Sequence, residues 1–189
     1  MPSKKSVTAD RNRMTLEAFA DTIIPGEKRS SRDRAVAGAA KGGGAVEAGA
    51  VELIRLPAVG LVDVVDTLIE ALNKHAEEYA GEHDLTLDAG MPPFVALDFD
   101  DRTALVQTLC DPVHPEKEMW VALAIFANMA YDSAAHLPTA KAIAARHPGL
   151  TAMGMFPPDG DGLWRFPRFS YGRALASIHP NTTATGSPA

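Results

Sequence analysis

The histidines and the single cysteine are the residues of this chain whose chemistry stands out. Asp132 and His136 are four residues apart, so on a helix they would share a face and could supply two ligands to a metal ion. A surface hydrogen bond is the simpler interpretation of that pair. Cys110 and His114 have the same spacing and could form a nucleophile and its base. Pro112 interrupts any shared helix face between them, which favours a buried structural cysteine.

The sequence carries no complete catalytic or cofactor motif. It contains no His-Glu-x-x-His, no Glu-x-x-His of the di-iron bundles and no Gly-x-Ser-x-Gly elbow. The glycines at 42–44 lack the Gly-Lys-Ser/Thr ending of a phosphate-binding loop, and no strand precedes them. We therefore assign no catalytic, cofactor-binding or metal-binding residue from the sequence, and we expect no cofactor in this chain.

Composition excludes several classes of protein. The 189 residues carry a formal net charge of -6, which argues against a nucleic-acid-binding protein. A single cysteine cannot form an internal disulfide. The apolar stretch near the amino end is interrupted by Glu17 and Asp21, so it resembles neither an export signal nor a membrane span. We expect a cytoplasmic protein.

The elements that must position these residues are helical. Leu16 to Ile24 shows apolar residues at helical spacing, with Thr15 as an N-cap and Pro25 as the stop. Residues 26–44 are interpreted as a long surface loop. Five further helices are predicted at 45–56, 59–79, 101–109, 116–136 and 139–146. Because no segment alternates with period two, we predict an all-α bundle of five or six helices.

Three details of these helices are specific enough to check. Gly49 lies inside the second predicted helix and is interpreted as a point of close helix packing. Val62 is placed in the buried stripe of the third helix, and Met119 on the inward face of the fifth. Asp98 and Asp100 are expected to cap the helix that follows them.

The chain divides by composition into four parts. Residues 1–13 are predicted to be a flexible basic arm, and residues 14–150 the helical bundle. Residues 151–179, where aromatic and proline residues cluster, are predicted to be irregular, and residues 180–189 are predicted to be a disordered tail. Interfaces are enriched in aromatic residues and arginine, so the third part is predicted to dock on a partner. The predicted interface residues are Phe156, Trp164, Arg165, Phe166, Arg168, Phe169, Tyr171 and Arg173.

Several segments, taken in order, resemble the gluconate 2-dehydrogenase subunit 3 family. The resemblance begins with the helix that ends in Ile24-Pro25 and continues in the small-residue segment 44–49. It extends through residues 94–109, His147-Pro-Gly149 and the aromatic segment ending at Gly172. It covers about residues 14–175, and its strength lies in the order of the motifs.

The resemblance implies a role rather than a reaction. Members of that family are small helical subunits that accompany FAD-dependent dehydrogenases of the glucose–methanol–choline type. The expected function is therefore a non-catalytic accessory subunit that stabilises a larger flavoprotein in a heterodimer, with FAD held by the partner. Two alternatives remain open at this point: a stand-alone helical enzyme or metal protein using Asp132 and His136 or Cys110 and His114, and a binding module for a small apolar ligand.

Overall fold

The computed structural model of this protein describes residues 4–155 together with Pro157 and Asn181. The described residues are helical with connecting loops and contain no strand, which confirms the all-α prediction. The chain up to Met155 forms one compact unit. Of the predicted interface residues, all eight lie outside the described residues, as do most of the predicted docking segment and tail.

Eight α-helices occur in the described part of the chain, more than the five or six predicted, because four of them have only four to six residues. A single 3₁₀ turn at Pro57–Val59 precedes the third. The four long helices build the bundle, and the short ones shape its connections. The helices are α1 Lys4–Ile23, α2 Ala50–Ile54, α3 Val65–Glu82, α4 Pro93–Ala96, α5 Phe99–Leu109, α6 Lys117–Ser133, α7 Thr139–Ala144 and α8 Pro148–Ala152.

The first helix is longer than the sequence predicted. It begins at Lys4, so the predicted cap at Thr15 is wrong, and α1 includes residues 4–13 of the predicted amino-terminal arm. Thr15 is fully buried inside α1, and its hydroxyl donates to Arg11 O over 3.2 Å. The Arg11 guanidinium donates to the carbonyls of Gly90 and Met91 at 3.1 and 2.8 Å. These bonds hold the amino-terminal half of α1 against the loop before α4.

The main core is built around α1. Leu16 and Phe19 of α1 are fully buried and belong to one apolar cluster with side chains of α3, α4, α5 and α6. The rings of Phe19 and Phe94 lie 6.4 Å apart. Burying large side chains such as these stabilises the fold by roughly 25 cal/mol for each Å² of apolar surface removed from water. The core therefore joins all four long helices into one unit.

Two predicted core residues are exposed. Val62 is 47% exposed because α3 begins only at Val65, so Val62 belongs to the preceding turn. Met119 is 46% exposed, on the flank of α6 beside the buried Trp120. The rest of the predicted stripe on α3 is buried as expected: Val65, Leu68, Ile69 and Leu72.

Gly49 is a break in the second predicted helix. Residues 45–49 form turns, and Gly49 takes a left-handed conformation with φ of 84° before α2 begins at Ala50. A Cβ atom at Gly49 would collide with the imidazole of His136. Gly49 is therefore a point of close packing, but against a turn residue after α6 rather than against a helix, and the predicted continuous helix over 45–56 was wrong. Glycine is required here by both the backbone angle and the contact.

Candidate functional site

The structure does not place Asp132 and His136 on a common helix face. Helix α6 ends at Ser133, and Ala134 adopts a left-handed conformation with φ of 48°, so the chain turns before His136. The His136 ring packs against Gly49 and lies 6.3 Å from the ring of His147. The i, i+4 geometry that suggested a metal pair is therefore absent at this point.

The pairing of Cys110 with His114 is likewise not favoured. Cys110 caps the carboxyl end of α5, and its partial burial raises the pKa of the thiol. A raised pKa keeps the sulfur protonated, whereas a nucleophilic cysteine needs a lowered one. Instead, His114 Nδ1 accepts a hydrogen bond from Glu116 N over 3.1 Å. The centroid of the His114 ring lies 5.8 Å from that of the His75 ring.

These contacts define a cluster of His75, His114 and Glu116, which we call the histidine–glutamate cluster. His75 projects from the middle of α3, and the other two residues belong to the connection between α5 and α6. His75 Nε2 lies 2.8 Å from Glu116 Oε2. One potential ligand atom from each of the three residues lies within 4.8 Å of the others. All three side chains are partly exposed.

The glutamate of this cluster is held in its ionised form. The hydrogen bond with His75 is the largest influence and lowers the pKa of Glu116, whereas burial opposes it. Trp120 Nε1 also donates to Glu116 Oε2 over 3.1 Å, which lowers the pKa further. Trp120 is almost fully buried and its ring meets His75 edge-on, with centroids 5.9 Å apart. The core thus fixes both the carboxylate and the imidazole.

An open groove of about 320 Å³ runs beside the histidine–glutamate cluster. Its wall on α3 carries His75, Glu78, Tyr79, Glu82 and His83, which follow one another at helical spacing. The ring of His83 stacks on that of Tyr79 at 4.0 Å. The groove therefore brings imidazole nitrogens and carboxylate oxygens together at a surface that solvent and small molecules can reach.

A second polar centre is buried and is bound to backbone atoms. Arg102 of α5 is only 4% exposed, and burial lowers the pKa of its guanidinium. It donates four hydrogen bonds of 2.6 to 3.2 Å to main-chain carbonyls. The acceptors are the carbonyls of Arg34, Ala35, Val95 and Leu97. Arg102 thereby fastens the long loop after α1 to the turn between α4 and α5.

The same loop is fixed to α1 by two buried acids. Asp21 is 1% exposed and accepts hydrogen bonds from Gly26 N at 3.1 Å and Ala37 N at 2.7 Å. Burial raises the pKa of Asp21, and these amide bonds oppose the increase. Glu17 is 5% exposed and forms ion pairs with Arg13 and Arg29. These acids serve the fold because backbone and arginine donors occupy their oxygens.

Neither polar centre was predicted from the sequence. His75 and His114 are separated by 39 residues, a spacing with no motif to identify it, and only their helices bring them together. The helical repeat of His75, Glu78, Glu82 and His83 was a signal that could have marked the groove. Arg102 lies in the segment 94–109 that carries the family resemblance, and no sequence pattern predicts that an arginine is buried.

The fold and the cluster define an all-α protein with a partly exposed histidine–carboxylate site. The chain belongs to the family of unknown function DUF5987, whose match spans residues 10–189. Neither the curated proteins nor the solved structures include a match to it. Among the described residues, no helix is both long and apolar enough to cross a membrane.

Proposed function

We propose that this protein is a non-catalytic accessory subunit of a FAD-dependent alcohol or sugar oxidoreductase of the glucose–methanol–choline type. It binds and stabilises the larger flavoprotein in a cytoplasmic hetero-oligomer, and FAD is held by that partner. The partner performs the redox chemistry. The predicted aromatic and arginine residues from Phe156 to Arg173 remain part of the proposed interface.

The first support is the contact between segments that carry the family resemblance. Ala45 N donates to Ile24 O over 3.0 Å, which joins the Ile24-Pro25 turn to segment 44–49. A ring nitrogen of His147 lies 2.9 Å from Ala48 O, so the His147-Pro-Gly segment meets segment 44–49 as well. Phe19 and Phe94 link the first helix to the segment 94–109. These contacts join the segments that carry the resemblance into one scaffold.

The observation that carries the proposal is the outer surface of α6. Ile125 is 50% exposed and Met129 is 37% exposed. At 100° per residue they lie on the opposite side of α6 from the buried Leu123 and Ala127. Two exposed apolar side chains one turn apart form a small apolar patch, a kind of surface that marks contacts with partners. We therefore assign the Ile125–Met129 surface to the flavoprotein interface.

The test is a co-purification of the full chain from its native organism with an affinity tag. We expect a larger protein to elute with it and the eluate to show a flavin absorption spectrum. The double variant Ile125→Glu, Met129→Glu places two charges in the proposed interface. We expect it to reduce the recovered flavin by at least about tenfold, because an unpaired charge costs more than 1.4 kcal/mol when it loses water.

The matched control is Val62→Glu. Val62 is also an exposed apolar residue, but it lies before α3 and not on α6. We expect this variant to recover as much flavin as the original chain. A chain that elutes alone and monodisperse would contradict the proposal, as would equal flavin recovery with the α6 double variant.

A further inference from the structure

We propose that His75, His114 and Glu116 form a binding site for a divalent transition-metal ion, with Zn²⁺ as the best match. This inference does not depend on the proposed function, since it concerns a different surface of the chain. It rests on the donor set, on the spacing of the three side chains and on the groups that surround them.

The donor set selects the metal. The histidine–glutamate cluster offers two imidazole nitrogens and one carboxylate oxygen within 4.8 Å of one another. Zn²⁺ is commonly bound by this combination, whereas Ca²⁺ and Mg²⁺ prefer oxygen ligands alone. Ligands about 2.0–2.2 Å from a zinc ion lie about 3.3–3.5 Å from each other, so modest side-chain movement is sufficient.

A metal ion would replace a proton between two of these groups. His75 Nε2 and Glu116 Oε2 share a hydrogen bond of 2.8 Å, so Nε2 can bind an ion only in the tautomer that carries the proton on Nδ1. His114 accepts a hydrogen bond from Glu116 N at Nδ1, so ligation requires its ring to give up that bond. Both imidazoles must therefore change tautomer or position before they bind the ion.

Neighbouring side chains are placed to support the ligands. Glu78 Oε2 lies 3.6 Å from His75 Nδ1, the ring nitrogen that faces away from Glu116. A carboxylate that accepts a hydrogen bond from a histidine ligand orients the ring, and Glu78 needs to move only slightly closer to accept one. Trp120 Nε1 holds Glu116 Oε2 at 3.1 Å. Glu116 is thus held by a neighbouring side chain and His75 has a carboxylate close behind it, whereas His114 must reorient to bind the ion.

Three protein ligands leave a coordination position open. His75 and His114 both line the groove described above, so the remaining position faces solvent. Structural zinc sites use four protein ligands, and sites with three retain water or take a small ligand. The geometry therefore favours an exchangeable ion that can bind a small anion or water from the groove.

The experiment is a calorimetric titration of ZnCl₂ into the full chain, purified without a polyhistidine tag. We expect one ion per chain, and no displacement of zinc by excess MgCl₂. The variants His75→Gln and Glu116→Gln should each weaken zinc affinity at least about tenfold. The control His83→Gln removes a histidine from the same helix and groove but outside the cluster, and its affinity should not change.

Two measurements keep the result interpretable. Circular dichroism in the presence of a chelator shows whether each variant keeps the original fold. If His75→Gln unfolds, the site is tested by adding Co²⁺ to the unmodified chain. Tetrahedral ligation of Co²⁺ by nitrogen and oxygen atoms gives intense visible absorption bands. Absence of those bands, no zinc binding by the unmodified chain, or an equal loss with His83→Gln would overturn the proposal.

Discussion

The two polar centres of the bundle differ in what their side chains bind. Arg102 is almost fully buried and donates to four main-chain carbonyls. In the histidine–glutamate cluster, His75 and Glu116 are partly exposed and bind chiefly to each other and to side chains. The first centre uses its hydrogen-bonding capacity to connect segments of backbone. The second keeps ring nitrogens and a carboxylate at the surface.

This difference distinguishes structural polar groups from candidate binding groups. A buried guanidinium must satisfy its donors within the protein, because water cannot reach them. Partly exposed imidazoles can exchange a neighbour for a ligand at small cost, because water replaces the lost contact. Substitutions in the buried centre should therefore reduce stability, and those in the exposed cluster should chiefly change binding.

The largest effect is expected for Arg102→Met. The variant leaves four carbonyls without their donor and removes a charge that interacts with Asp21. We expect the free energy of unfolding in urea to fall by about 3–5 kcal/mol. The control Arg34→Met removes a half-exposed ion pair with Asp88 and should cost less than about 1 kcal/mol. Equal losses for the two variants would contradict the structural role of Arg102.

A smaller effect is expected for Gly44→Ala. A Cβ atom at Gly44 would collide with the backbone at Ile24 and Pro25, beside the buried acid Asp21. The resulting strain should lower the free energy of unfolding by about 1–3 kcal/mol. Gly81 of α3 has open space around the same position, so Gly81→Ala should raise stability by about 0.5–1 kcal/mol. Thermal unfolding of both variants tests these opposite signs.

The smallest effect is a pH dependence that involves His136. Burial lowers the pKa of His136, with a further contribution from His147, while Glu52 opposes it. Among the described residues, His136 Nδ1 has no hydrogen-bond partner. Below about pH 6.5 the unfolded chain binds a proton that the folded chain does not, so stability is lost as the pH falls toward the lowered pKa.

The matching variant is His136→Gln, which cannot take up that proton. Urea unfolding at a series of pH values from 7.5 to about 5 should show a shallower decline for the variant than for the original chain. Identical slopes would show that His136 titrates in the folded state as it does in the unfolded state.

Apolar periodicity predicted the fold class and much of the core. The stripe from Val65 to Leu72 is buried, and Asp98 caps α5 by accepting from Asp101 N at 2.9 Å, as the sequence indicated. Helix bounds were less well predicted where tertiary contacts decide them. Arg11 extends α1 by binding the loop at Gly90, and no local signal indicates that bond.

The candidate site was not predictable in the same way. The spacing of Cys110 and His114 suggested a pair, but His114 meets His75 and Glu116 in the structure. His75 comes from another helix, so its contact depends on how α3 packs against the connection between α5 and α6. Sequence spacing predicts which residues are neighbours within one helix, but it does not predict which residues of different helices lie close together.

The amino-acid sequence by itself determined that this chain forms apolar-faced helices and which of their stripes are buried, because helical periodicity is a local property. Tertiary structure alone decided that Arg102 would connect four backbone carbonyls and that His75, His114 and Glu116 would meet. Those contacts join residues far apart in the chain, and they form only when the apolar stripes pack together.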